Sequence, residues 1–366
     1  MKHLISVLAC FALFGCSSEN LTNEKQEDIN ETAKPVMFDD PSAIEALNAI
    51  GAKTKKNGDG LIIEVNLRET PADDDTLREI SSLEHVQSLL LNDIDITDDG
   101  LEVFNHVTWP ITNLDLRGCP ISNAGLQHVT SLPSLKALRL SGSNSNCTVD
   151  DDGMDSVAQL ANLKVLALDR LWISEAGIEK LLVLRDLEEL YLAETTVGDD
   201  ALALLPKLPN LRKLRLSKNQ ISNEGLKQLA GFKELVELDL SEISQLSNDG
   251  MRHLSGLTSL RKLNLWRVPI TDAGVEHLKS LNNMEWLNLD NTMLSDAGLP
   301  FLVNMEGLTF LHLGSTQVSD SGITDLKNMT SLKDLKVTRT AVTNVGVAEL
   351  KKSLTKTEIQ LEYLGN

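Results

Sequence analysis

The apolar positions of the chain fall into a pattern that recurs about every two dozen residues. In the stretch from Leu260 to Asn283, LRKLNLWRVPITDAGVEHLKSLNN, apolar and polar residues alternate at the start, with Leu260, Leu263 and Leu265 marking one side. That alternation predicts a short strand. Thr271 or Asp272 then stands where a helix start is capped, and Val275, Leu278 and Leu281 follow at helical spacing. The unit therefore reads strand, turn, short helix, turn.

Taking the first apolar strand residue as position 1, units begin at Ile62, Val86, Ile111, Leu135, Leu163, Leu187, Leu211, Leu235, Leu260, Met284, Leu308 and Leu332. The spacing is 24 residues, except for 25 after Val86 and after Leu235 and 28 after Leu135. A unit this small cannot bury its own apolar face, so neighbouring units must stack and share one core. The pattern LxxLxLxxxxI(S/T)(D/N)xGLxxLxxL resembles the leucine-rich-repeat family. More narrowly, it looks like the variant shared by bacterial envelope proteins, notably of planctomycetes, and by the repeat half of F-box substrate adaptors. The resemblance implies an α/β solenoid of about twelve repeats, shaped as a horseshoe, with a parallel sheet on the concave face and helices on the convex face. At about 4.8 Å per strand the sheet would run roughly 50 Å along its arc.

The ends differ from the repeats. Lys2 precedes an apolar run to Phe14 that is too short to span a bilayer, which marks residues 1–15 as a signal peptide. Leu13-Phe14-Gly15-Cys16 resembles the bacterial lipobox, which implies cleavage before Cys16 and a lipid on its thiol; Ser17 resembles the pattern of lipoproteins sent to the outer membrane. Residues 16–41 are polar, with almost nothing to bury, and are expected to form a disordered tether. Residues 42–61 hold a short helix from Ala43 to Ile50 with Ser42 as its cap, an N-terminal cover for the repeats at 62–355. Residues 356–366, where Ile359 and Leu361 alternate with polar residues, are expected to close the other end.

The formal charge of −19 argues against nucleic acid and against electrostatic adhesion to anionic lipid. Membrane contact is thus expected through the lipid anchor alone, and the chain is expected to be a monomer. Asp98, Asp199, Asp272, Asp296 and Asp320 share position 13, with Asn123, Glu175, Asn223 and Asn344 in the same file. Carboxylates stacked about 5 Å apart suit calcium, but the asparagine interruptions favour the alternative, capping and negative charge at helix N-termini. Glycines sit two residues later in most repeats, and Ala201 breaks that series. His128, His253 and His277 share a helix position and read as solvated side chains. No catalytic set, phosphate loop or metal-ligand spacing emerges, so an enzyme, a cofactor and a metal site are not expected. Cys119 and Cys147 occupy comparable turns of consecutive repeats, which makes a disulfide between them the expectation in an oxidising compartment, with two separate thiols as the alternative.

The concave face carries the remaining signal. Position 3 reads Glu189, Lys213, Glu237, Lys262, Trp286, Phe310; position 5 reads Tyr191, Arg215, Asp239, Asn264, Asn288, His312. Alternating signs predict lateral pairing in the middle repeats. Beyond Lys262 the candidate binding set is Asn264, Trp266, Arg267, Trp286, Asn288, Phe310 and His312, since rigid aromatic area with a few polar groups suits recognition. The alternative is that Trp286 and Phe310 merely cover one another. The function that follows is non-enzymatic binding of a protein or glycan ligand by the concave face. A structural spacer without a single ligand, or a ubiquitin-ligase-type adaptor by repeat similarity alone, stand as alternatives.

Overall fold

A computed structural model describes residues 38–362 of the chain. The signal peptide, Cys16 and the tether as far as residue 37 lie outside the described residues. Fourteen strands form one sheet in strict chain order. They are β1 (Lys53–Lys56), β2 (Ile62–Asn66), β3 (Ser88–Leu90), β4 (Asn113–Asp115), β5 (Ala137–Ser141), β6 (Val165–Asp169) and β7 (Glu189–Tyr191). There follow β8 (Lys213–Arg215), β9 (Glu237–Asp239), β10 (Lys262–Asn264), β11 (Trp286–Asn288), β12 (Phe310–His312), β13 (Asp334–Lys336) and β14 (Glu358–Gln360). β2 to β13 come one from each of the twelve repeats and are parallel; β14 adds a closing strand. Positions pair like with like, as in Lys262 with Trp286 and Trp286 with Phe310. The fold is the leucine-rich-repeat solenoid, sheet on the concave face and short α- or 3₁₀-helices on the convex one.

The core lies between sheet and helices as one continuous cluster from Ala43 to Leu354. The central strand leucines, such as Leu263, Leu287 and Leu311, are fully buried. After nearly every strand the chain turns through one residue with a left-handed backbone, for example Glu194 (φ 59°), Lys218 (φ 59°), Glu242 (φ 58°) and Arg267 (φ 58°). That conformation costs a non-glycine residue about 1 kcal/mol or more, and it aims a long charged side chain over the rim of the sheet. The extra residue of the repeat begun at Val86 accompanies Trp109, whose buried indole N–H donates to the Leu83 carbonyl.

The N-terminal cover begins earlier than expected. Asp40, rather than Ser42, caps α1 (Pro41–Ala49): its carboxylate accepts the Ser42 amide at 2.8 Å, and proline opens the first turn. Asp39 accepts the Ile62 amide at 2.8 Å, which ties these residues to β2. β1 pairs antiparallel with β2 and was not expected, because KTKK has no apolar alternation and all four residues are exposed. Lysines along such an edge discourage pairing with other chains.

The row of turn aspartates joins each repeat to the next. At ten of the eleven junctions the Asp or Asn that begins one helix accepts the backbone N–H of the next repeat's cap residue, at 2.7–3.1 Å. Where that residue is Asp, its second oxygen also accepts the hydroxyl of the next cap, as between Ser222 and Asp199 at 2.5 Å. The repeated glycine makes the space: a Cβ on Gly225 would stand 2.0 Å from Asp199 Oδ1. The carboxylates are thus engaged as inter-repeat clamps, beyond the capping role expected of them.

One junction lacks the clamp. Glu175 stands where Asp is usual, Gly198 replaces the hydroxyl cap and makes no side-chain cap bond, and Ala201 replaces the glycine. The break at Ala201 is therefore matched by changes at both partner positions.

The expected disulfide is replaced by two free, buried thiols, Cys119 and Cys147. Cys119 Sγ turns inward and lies 3.1 Å from the Leu91 carbonyl oxygen. Burial pushes its pKa up to about 12 and raises that of Cys147.

Candidate binding surface

Three rows of charged side chains cross the strands on the concave face. At position 3, Lys213 lies 2.8 Å from Glu189 and 3.9 Å from Glu237, and Lys262 lies 3.0 Å from Glu237. At position 5, Arg215 lies 3.5 Å from Asp239 in the same row and reaches back two strands to Asp169, a position-7 residue of β6, at 3.1 Å. The left-handed turn residues form a third row absent from the sequence reading. Arg170 meets Glu194 at 2.6 Å, Lys218 lies 3.3 Å from Glu194 and 3.6 Å from Glu242, and Arg267 meets Glu242 at 2.9 Å. Pairs this exposed contribute under about 1 kcal/mol each, but they leave few charges seeking a partner. Burial, opposed by the Ala193 amide and Arg215, raises the pKa of Asp169.

Two troughs run between these rows. The longer, about 500 Å³, extends from Asn92 to Trp266, with Ser141, Ala193, Ser217 and Ser241 as a floor of small position-7 side chains. The shorter, about 380 Å³, lies between positions 3 and 5 and extends from Tyr191 to Trp286. Tryptophan bounds each at the C-terminal end. Arg215, Asp239 and Asn264 line both and form the ridge that divides them.

The aromatic residues play unequal parts. Trp286 and Phe310 stack with ring centroids 4.9 Å apart and planes 5° from parallel. Lys336 Nζ lies 5.5 Å from the Phe310 centroid, so charge and indole flank that ring. Lys262 leans back to Glu237, leaving Trp286 to form the wall of the shorter trough. Phe310 is thus a buttress behind Trp286. The alternative, that the pair merely covers itself, holds for one indole face only.

The other expected site residues are dispersed. Asn264 and Asn288 each use Oδ1 to accept the amide two residues on, at Trp266 (3.2 Å) and Asp290 (2.9 Å). Arg267 ends the rim row and lies 5.3 Å from the Trp266 ring centroid. His312 meets the edge of Phe310 at 6.3 Å, behind the stack, and burial holds its pKa below the usual histidine range. Its Nε2, Asp290 Oδ1 and Thr338 Oγ1 all lie within 2.9 Å of where a Cβ on Gly314 would stand. The structure thus brings Asn264, Trp266 and Trp286 to the troughs and sets Asn288, Phe310 and His312 beyond them. Tyr191, Arg215 and Asp239 join the site, and the run of small residues at position 7 was the available signal. Tyr191 donates to Glu189 at 2.7 Å, and burial raises its phenol pKa.

On the convex side His253 departs from the solvated reading: its Nε2 is buried without a partner among the described residues, and burial lowers its pKa. Among the described residues no group of three or more His, Cys, Asp or Glu is placed to hold a metal ion, and no helix is long and apolar enough to cross a membrane.

The family described as Leucine Rich repeat matches residues 207–230. No curated protein matches the chain significantly. Among solved structures, an internalin (InlF) of Listeria monocytogenes is 17% identical, with 88% of this chain and 95% of that chain covered and a TM-score of 0.60. The yeast Rad7 and Elc1 complex gives a match at 19% identity, covering 79% of this chain and 83% of that one, with a TM-score of 0.53. Both likenesses are of fold.

Proposed function

With the chain established as a leucine-rich-repeat solenoid, we propose that it is a non-enzymatic recognition protein, lipid-anchored in a bacterial envelope, that holds a polypeptide partner on its concave sheet. The observation that carries the reading is the concave face itself. Self-neutralised charge rows lead into two troughs that end at Trp266 and Trp286. Paired charges need no counter-charge from a ligand, while large, rigid aromatic area binds at low entropic cost. The Rad7 structure, solved with Elc1, is an instance of this fold in complex with a protein. Export and anchoring rest on the apolar leader and on Leu13-Phe14-Gly15-Cys16.

A photo-crosslinking residue placed at Asn288 should trap a discrete polypeptide in cells, and one at Glu276 on the convex helices should not. Equal trapping from both faces, or none from Asn288, would overturn the reading. Cys16→Ser should release the protein from membranes or leave it unprocessed; unchanged fractionation in detergent would remove the anchor.

A further inference from the structure

We infer that the shorter trough receives one aromatic side chain of the partner polypeptide, stacked on the indole of Trp286 that faces β10. This rests on the concave-face reading above. The Phe310 stack occupies one face of Trp286 and holds the ring upright, while Lys262 leaves the other to the trough by turning to Glu237. The floor is the chain at Leu214 and Leu238, between two rows of side chains. A flat apolar ring fits this arrangement, since aromatic pairs favour parallel offset stacking.

The polar walls separate a side-chain ring from a sugar. A sugar presents hydroxyls on every edge and needs several unengaged donors and acceptors. Here Lys213 already meets Glu189, Lys262 meets Glu237, and Arg215 lies between Asp169 and Asp239. Asn264 uses Oδ1 on the Trp266 amide, and its Nδ2 has no partner among the described residues. One amide donor beside one open indole suits an aromatic residue whose main-chain carbonyl lies next to its ring.

The test uses the intact protein as bait for a displayed library of random twelve-residue peptides, followed by titration of the selected peptides. Selected peptides should share an aromatic residue, and its replacement by alanine should weaken binding at least tenfold. Lys262→Trp, which offers an indole to the open face from an exposed position, should weaken binding as much without changing the melting temperature. Trp286→Leu provides a second variant, which keeps an apolar side chain beside Phe310. Peptides that crosslink to the concave face yet bind both variants like the parent would overturn the inference and leave the concave-face reading standing. Binding of methyl glycosides that Lys262→Trp abolishes would overturn it in favour of a sugar. Failure to select any peptide would overturn it together with the polypeptide reading.

Discussion

At each clamped junction between repeats, the choice of aspartate or asparagine decides which way a hydrogen bond runs. Asp199 accepts the Ser222 hydroxyl, which is left free to accept the Glu224 amide and so cap its own helix. Asn223 and Asn248 instead donate to Ser247 Oγ and Thr271 Oγ1, and neither of those hydroxyls makes a cap bond. Asn123 faces a carboxylate, Asp150, and donates to it at 2.7 Å. Asn123→Asp would oppose two carboxylates and should cost about 1–3 kcal/mol, the scale for a partnered polar group that loses its donor. Asn223→Asp should be near neutral, because Ser247 can reverse its hydroxyl. Urea midpoints of the two variants provide the measurement, and equal losses would show that the direction of the bond is immaterial. The buried thiols give a second residue-scale outcome. In native protein without reductant, Cys119 and Cys147 should resist alkylation, and both should react once the chain is unfolded. A linked Cys119–Cys147 peptide would reject the free state.

At the scale of the repeat, what could be read from sequence was whatever the core demands. Leu263 and Leu265 must point inward, so strand, period and parallel stacking follow, and twelve strands stand where twelve were expected. β1 escaped because its lysines bury nothing and its pairing comes from β2 alone. The Asp and Gly files were visible as files. Their purpose was not, since Asp199 acts on Ser222, a partner 23 residues away that local capping rules do not reach. The site was legible to a similar depth: the rows and aromatic positions could be listed, but which indole face is open depends on the Phe310 stack and on the direction taken by Lys262. The unclamped junction yields a repeat-scale prediction. Replacing Glu175 by Asp, Gly198 by Ser and Ala201 by Gly together should raise stability by about 1 kcal/mol or more, the value of a charge-assisted hydrogen bond. Glu175→Asp alone should do less, as Ala201 still fills the space. In hydrogen exchange, residues 175–201 of the parent should open before their counterparts at the neighbouring junctions, and uniform protection would contradict this.

For the molecule as a whole, acid should act in two stages. Burial lowers the pKa values of His312 and His253, so the fold favours their neutral forms. That contribution is complete above the ordinary histidine value of about 6.5 and is lost as pH falls through the lowered values. Asp320 is lowered by its Thr343 hydrogen bonds and Glu194 by Arg170. Their contribution is present above the ordinary carboxylate range of about 4 and is lost as pH falls through their own lower values. Urea midpoints should therefore be level near pH 8, decline gently below about pH 6.5 and drop again below about pH 4. A midpoint that rises on acidification from about pH 7 to about pH 6, above the range where the raised Asp169 titrates, would contradict the histidine assignment.

The unclamped junction also bears on how the concave face moves. It lies between the repeats of β6 and β7, so the shorter trough, from Tyr191 on β7 to Trp286 on β11, falls entirely to one side of it. The longer trough, from Asn92 to Trp266, runs across it. Any flexure at this joint would change the curvature of the longer trough and leave the lining of the shorter one on a single side of the bend. A partner gripped by both would sense the bend of the solenoid at one end of its footprint and a fixed socket at the other.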